Sequence, residues 1–218
     1  MISESARAEI TRLTGNPHAL EQWTADHLPD GEQLEQHTRK VIDSHTEWDS
    51  MYKFFALSWD GEKLGGGAIF AIDNTIEPAR YPHILPSMIA QLLLERSLKP
   101  GPPPPLVALS LQVETHHVDR DSLTEADRKL VEERKMHTLP QAVEKCMCLT
   151  VDIAGRTWWG TKTRRTDQCE YGDSTSGSPY TGGFANLLAR IATALPLPYI
   201  INEHGRGRLP EAFGGSRS

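Results

Sequence analysis

The sequence predicts an α+β fold built on a five-stranded antiparallel sheet, two hairpins plus a central strand, with flanking helices. Three observations carry this prediction. Asp60-Gly61 and Ala154-Gly155 each separate two strand-like runs, as hairpin turns do. Leu106 to Thr115 alternates cleanly between apolar and polar residues, the period of a strand with two distinct faces. Helical patterns precede, separate and follow these runs, which is the arrangement of helices packed on a sheet.

Residues 1–50 read as a helical region. Ser5 to Leu13 is followed by a break at Gly15-Asn16-Pro17, then by a second helix over His18 to Ala25. Gly31 to Thr46 sets Leu34, Val41, Ile42 and His45 near helical spacing among charged residues, which predicts an amphipathic helix with a narrow apolar stripe. Met51 to Trp59 and Leu64 to Ile72 form the first hairpin, and Gly65-Gly66-Gly67 leaves its second strand thin enough for close packing. A helix over Pro86 to Ser97 follows, with proline in its first turn and Met88, Ile89, Leu92, Leu93 and Leu94 expected in the core. Lys99 to Pro105 reads as a stiff polyproline connector, because it lies between two core elements rather than in a free tail.

In the central strand Leu109, Leu111 and Val113 share one face, and Ser110, Gln112 and Glu114 the other. Ser122-Leu-Thr-Glu125 has the spacing of a capping box and opens a charged helix inserted over residues 122–135. The second hairpin runs from Val143 to Ile153 and returns as Thr157 to Arg165, with Met147, Leu149, Val151 and Ile153 directed to the core. Cys169 to Gly183 is rich in Gly, Ser, Thr and Asp and reads as a loop, Phe184 to Leu195 as a final apolar helix, and 205–218 as a flexible tail. Residues 51–204 thus hold the sheet, and with the helical region they are expected to form one domain. With the inserted helix removed, the element order matches roadblock and profilin-like architectures.

Composition bounds what such a fold does. The chain has 218 residues, 38% apolar and 24% charged, enough to bury a core. Its longest apolar candidate, Ile84 to Leu98, is interrupted by Pro86, Gln91, Glu95 and Arg96, and residues 1–10 lack the basic start and apolar run of a signal peptide. A cytoplasmic protein that does not enter a membrane is the expectation. Three cysteines, two of them one residue apart, do not form a disulfide framework. A net charge of −6 argues against a surface devoted to nucleic acid.

One stretch carries a resemblance. A strand ending in Leu109-Ser-Leu-Gln-Val-Glu114, a charged helix, His137-Thr-Leu-Pro-Gln-Ala-Val-Glu144 and a strand closing in Val151-Asp-Ile-Ala-Gly-Arg-Thr-Trp158 together resemble uncharacterised α+β proteins of actinobacteria and their phages. The resemblance covers Leu109 to Arg165. It implies an accessory role in a phage or mobile element and no particular activity.

Chemistry-bearing residues fall into four groups. Glu114 and His116 share a strand face, with His117 adjacent, a set that could serve a metal-assisted hydrolase. His116, His137 and Cys146 are candidate ligands for a divalent metal, while Cys146 and Cys148 project together to the face opposite Met147 and read foremost as core residues. Trp158, Lys162 and Arg164 share one face of a strand, the combination that stacks bases and holds phosphates. Gly172 to Gly177 is glycine-rich but lacks a Walker lysine, so a solvated loop is the plainer reading. No zinc-protease, nucleophile-elbow or paired Cys-x-x-Cys pattern is present. The leading expectation is a non-enzymatic module that binds a protein partner or self-associates. The metal-assisted hydrolase is the alternative, and a single-strand nucleic-acid binder the third.

Overall fold

The structure, a computed structural model, describes residues 4–76, 80–98, 103–133, 135–174 and 183–205. Helices α1 (Glu4–Thr14), α2 (Ala19–Asp26) and α3 (Gly31–Asp43) precede the hairpin of β1 (Tyr52–Trp59) and β2 (Leu64–Ile72). Then come α4 (Tyr81–Ser97), β3 (Leu106–His117), α5 (Glu125–Glu132), β4 (Val143–Asp152), β5 (Thr157–Thr163), β6 (Cys169–Asp173), α6 (Gly183–Ala192) and α7 (Pro196–Gly205). The strands form one antiparallel sheet in the order β2-β1-β3-β4-β5-β6.

The sheet therefore has six strands among the described residues, where the sequence predicts five. The added strand, β6, falls in the stretch read as a loop. Its composition is that of a loop, but its pairing with β5 is sterically matched. Trp159 stands opposite Gly172 and Tyr171 opposite Gly160, so each large ring lies over a residue without a side chain.

Both faces of the sheet centre are covered. On one face Phe54, Leu109, Leu111, Val113, Met147, Leu149 and Val151 pack with α4, α6 and the residues Ile10, Leu20, Trp23 and Ile200 of the terminal helices. On the other, α3 lays Leu34, Val41 and Ile42 over Ala108, Cys146, Cys148 and Trp158. This second layer accounts for the polar face of β3. Ser110 and Gln112 are buried beneath α3 rather than wetted, and their polar atoms are paired. Thr38 Oγ1 meets Thr150 Oγ1 at 2.7 Å, Thr150 Oγ1 donates to Ser110 Oγ at 3.0 Å, and Ser110 Oγ contacts Cys148 Sγ at 3.2 Å. A chain of hydroxyls of this kind satisfies groups whose burial would otherwise be costly.

Several element boundaries differ from expectation for local reasons. Helix α4 begins at Tyr81 and carries Pro86 internally; it buries Tyr81, Leu85, Ile89 and Leu92 as one stripe and leaves Leu94 outside. The capping box of α5 is Thr124 with Asp127, not Ser122 with Glu125, and the helix buries nothing, as an exposed insertion should. The final apolar segment is two helices. Gly183–His204 is long and apolar enough to cross a membrane by composition alone, yet it breaks between α6 and α7 and buries Ala185, Leu188, Ala192, Leu195 and Ile200 in the core. The stretch read as a flexible tail lies, from residue 206 on, outside the described residues, as do 99–102 of the polyproline connector and 175–177 of the glycine-rich loop.

Candidate binding groove and polar centre

Helix α3 lies over β4, β5 and β6 and meets the β1-β2 hairpin along one side, with His37 against Phe55 and Gln33 bonded to the Glu62 carbonyl and the Leu64 amide, and a groove of about 630 Å³ opens between helix and hairpin. The alternation of β1 turns Lys53, Phe55 and Leu57 into it, and the helical spacing of α3 adds Gln33, His37, Lys40 and Val41. The floor is apolar. The far wall is β2, where Gly65 and Gly66 offer bare backbone and Ile69 stands 66% exposed. The lining carries Lys40, Lys53 and His37 but no carboxylate, although acidic residues outnumber basic ones by 29 to 23 in the chain. Strand β2 is also an edge of the sheet, so the backbone groups on its outer side have no strand partner among the described residues.

His37 sits with its ring edge-on to Phe55 at 5.4 Å, and its Nε2 is buried without a hydrogen-bond partner. Burial, with Lys40 adding to it, pushes its pKa from 6.5 down to about 4. The unfolded chain therefore takes up this proton first, so the stability contributed by neutral His37 is complete above pH 6.5 and is lost as pH falls toward 4. Glu114 and Asp152, whose carboxyls burial raises, contribute the opposite slope, so the parent must be compared with a variant. In urea titrations, the stability difference between the parent and His37→Gln should shrink between pH 7 and pH 5. A difference independent of pH would refute this role for His37.

Beyond Gln112, at the inner end of the groove, lies a second group of polar residues. The Gln112 amide is hydrogen-bonded to His45 Nδ1 at 2.8 Å and to Cys146 Sγ at 3.5 Å. His45 Nε2 and Glu114 Oε1 face one another at 3.4 Å, with side chains 3% and 10% exposed. The Asp49 amide donates to Glu114 Oε2 at 2.8 Å; Asp49 holds a left-handed backbone with φ 62°, and Asn74 steadies that turn through the Asp49 and Ser50 carbonyls. Arg164 bridges Asp49 and Glu144, donating to their carboxylates at 2.7 and 2.8 Å. Its guanidinium also lies 5.4 Å from the centre of the Trp48 ring, which packs edge-on against His45. Burial raises the Glu114 carboxyl, and Asp49 and Glu144 raise it further against the pull of the Asp49 amide. Burial lowers His45, as do Lys53 and Lys162. The environment thus favours the neutral form of both groups.

The structure separates the residues singled out in the sequence. Glu114 is in the polar centre. His116 and His137 meet edge-on at 6.0 Å nearer the strand end, and His117 is exposed. Cys146 and Cys148 are buried under α3, where burial pushes their thiols up to about 12 and about 11. Protonated and enclosed, they pack as core residues. His116, His137 and Cys146 are not among the groups whose ligand atoms converge; the trio that does so among the described residues is Asp49, Glu114 and Glu144, within 4.8 Å of one another. Of Trp158, Lys162 and Arg164, the first two lie on β5 and Arg164 in the turn beyond its end at Thr163, and each is engaged internally. Trp158 is buried below α3, Lys162 donates to the His45 carbonyl at 2.8 Å, and Arg164 holds its two carboxylates. An open platform for stacked bases is not formed by these three.

Sequence reasoning missed His37, His45, Asp49, Gln112 and Glu144. His45 was legible as a histidine on the apolar stripe read over Gly31 to Thr46, although α3 ends at Asp43 and His45 lies in the turn after it, and Gln112 as a polar residue in the central strand. Nothing in the sequence brings Asp49 and Glu144 together, because Arg164 joins them across elements distant in the chain. No family model, curated protein or solved structure matches the chain.

Proposed function

We propose that the chain is a protein-binding module whose groove between α3 and the β1-β2 hairpin takes an acidic, apolar-anchored segment of a partner, aligned along the free edge of β2. The observation that carries this reading is the groove lining: Phe55, Leu57 and Val41 below, Lys40 and Lys53 at the rim, and no carboxylate, in an acidic chain. Apolar anchors in such a groove supply affinity, complementary charge supplies selectivity, and an edge strand supplies backbone hydrogen bonds. A second copy is the poorer occupant, because a two-fold contact through this surface sets the same cationic rim against itself. With the inserted α5 set aside, the element order expected from the sequence is similar to roadblock and profilin-like architectures, which supports a scaffold role. The resemblance of Leu109 to Arg165 to actinobacterial and phage proteins supports an accessory function in the cytoplasm.

Hydrolysis by Glu114, His116 and His117 receives less support, since His117 points to solvent and the three do not form one site. Panning random peptides against the immobilised chain tests the binding reading. Enriched peptides should alternate apolar and acidic residues. Ile69→Asp should weaken them by roughly tenfold or more through loss of an apolar contact, and Lys40→Glu with Lys53→Glu by roughly fivefold. Enrichment of basic or purely polar peptides, or binding indifferent to all three substitutions, would overturn it.

A further inference from the structure

We propose that His45 Nε2 and Glu114 Oε1 are two ligands of a divalent metal ion of the zinc class, completed by a carboxylate oxygen of Glu144 or Asp49 and by water. The two atoms are buried, they face one another, and neither has a hydrogen-bond partner. Burying polar atoms without partners is costly, so a ligand shared between them is favoured. Their separation of 3.4 Å is loose for a hydrogen bond. It does fit a shared metal: two ligands about 2.0–2.1 Å from a tetrahedral zinc ion stand about 3.3–3.4 Å apart.

The surroundings suit that ion. Asp49, Glu114 and Glu144 bring carboxylate oxygens within 4.8 Å of one another, a trio that meets the pair through Glu114 and does not include His45, so the Glu144 or Asp49 side chain turns inward to become the third ligand. Asp49 and Glu144 share one guanidinium, Arg164, and Glu114 Oε1 faces only His45, so a dication adds charge that these carboxylates attract even with Lys53 and Lys162 near the imidazole. Arg164 keeps Asp49 when Glu144 turns to the metal, or the reverse, since it holds both. Lys162 is turned away to the His45 carbonyl and Asp167. A metal-bound imidazole needs an acceptor for its other N–H, and the Gln112 amide is in place at 2.8 Å from His45 Nδ1. Rotated to present its oxygen, this amide accepts from Nδ1–H and from the Cys146 thiol together. Glu144 and Asp49 lie outward of the buried pair, so the remaining position opens toward solvent and water fills it. An ion with nitrogen and oxygen ligands and one open position is within the habit of zinc and cobalt. This site stands apart from the groove reading and survives its failure.

Chelator-treated full-length protein titrated with Zn(II) against a competing indicator should bind one equivalent. His45→Ala and Glu114→Gln should each weaken it on the order of 100-fold, and Gln112→Ala by about 10-fold or more. His116→Ala and His137→Ala should leave affinity unchanged. Co(II) loaded into the parent protein reports ligand type without any variant, and a tetrahedral spectrum free of thiolate charge transfer is expected. Absence of stoichiometric binding, a thiolate band, or sensitivity to the His116 or His137 variants in place of His45 and Glu114 would overturn the assignment.

Discussion

Replacing Asp152 with Ala should lower the stability of the chain by about 3–5 kcal/mol, the range for removing one partner of a buried charge pair. Asp152 is fully buried at the turn of the β4-β5 hairpin. Its Oδ1 accepts from the amides of Ala154 and Arg156 at 3.0 and 2.8 Å, and its Oδ2 accepts from Arg156 Nε at 2.6 Å. Arg156 then reaches Pro29, donating to its carbonyl at 2.8 Å beside the N-cap of α3, and covers Trp158 at 5.2 Å. One carboxylate therefore ties the hairpin turn to the start of the helix that covers this face. Without it, two turn amides and a guanidinium lose their acceptor together. Burial raises the Asp152 carboxyl in spite of Arg156, so the charged pair sits in a poorly solvating place. Asp152→Asn keeps an acceptor for the turn and should lose less than Asp152→Ala in urea denaturation. Equal losses would assign the whole effect to the charge pair and remove the turn from the explanation.

Gly160→Val should destabilise by about 1–3 kcal/mol, the range for overpacking a filled core. A Cβ at Gly160 would lie 2.8 Å from Tyr171 Cδ1 and 3.0 Å from Ile42 Cγ1, closer than atoms pack. The ring of Tyr171 cannot simply swing away. Its hydroxyl donates to Asp43 at the end of α3, and Arg39 stacks over it at 4.2 Å. The same position thus seats both β6 and α3 on β5. Pairing Gly160→Val with Tyr171→Ala should return part of the lost stability, because the second substitution removes one of the two obstructing groups. If Gly160→Val melts with the parent, the close approach of α3 and Tyr171 at this strand is refuted.

These same contacts explain what was readable in advance. The hairpins at Asp60-Gly61 and Ala154-Gly155 and the alternation of Leu109, Leu111 and Val113 are local signals, set by the chemistry of turns and by period, and the sheet bears them out. Strand β6 was unreadable because Gly172 and Asp173 look like loop residues until Trp159 is seen to require a glycine opposite it. The polar face of β3 was legible as polar but not as buried, since burial depends on where α3 comes to rest. Glu114 was singled out from its strand, whereas its partners come from the turn after α3 and from β4. A cluster assembled over such sequence distances leaves no spacing to read. The groove has the same origin, since it depends on where α3 rests; the close packing expected at Gly65-Gly66-Gly67 is not found at Gly66, which lines open space, and at Gly65 only Ser58 Oγ comes near.

Amide hydrogen exchange with a selected acidic peptide bound tests the binding reading most directly. Slowed exchange should fall on β2, Leu64–Ile72, and on the stretch of α3 that carries His37 and Lys40, with the amides on the outer side of β2 the most protected. Protection confined to α4 and α6 on the opposite face, or spread evenly over the chain, would contradict it.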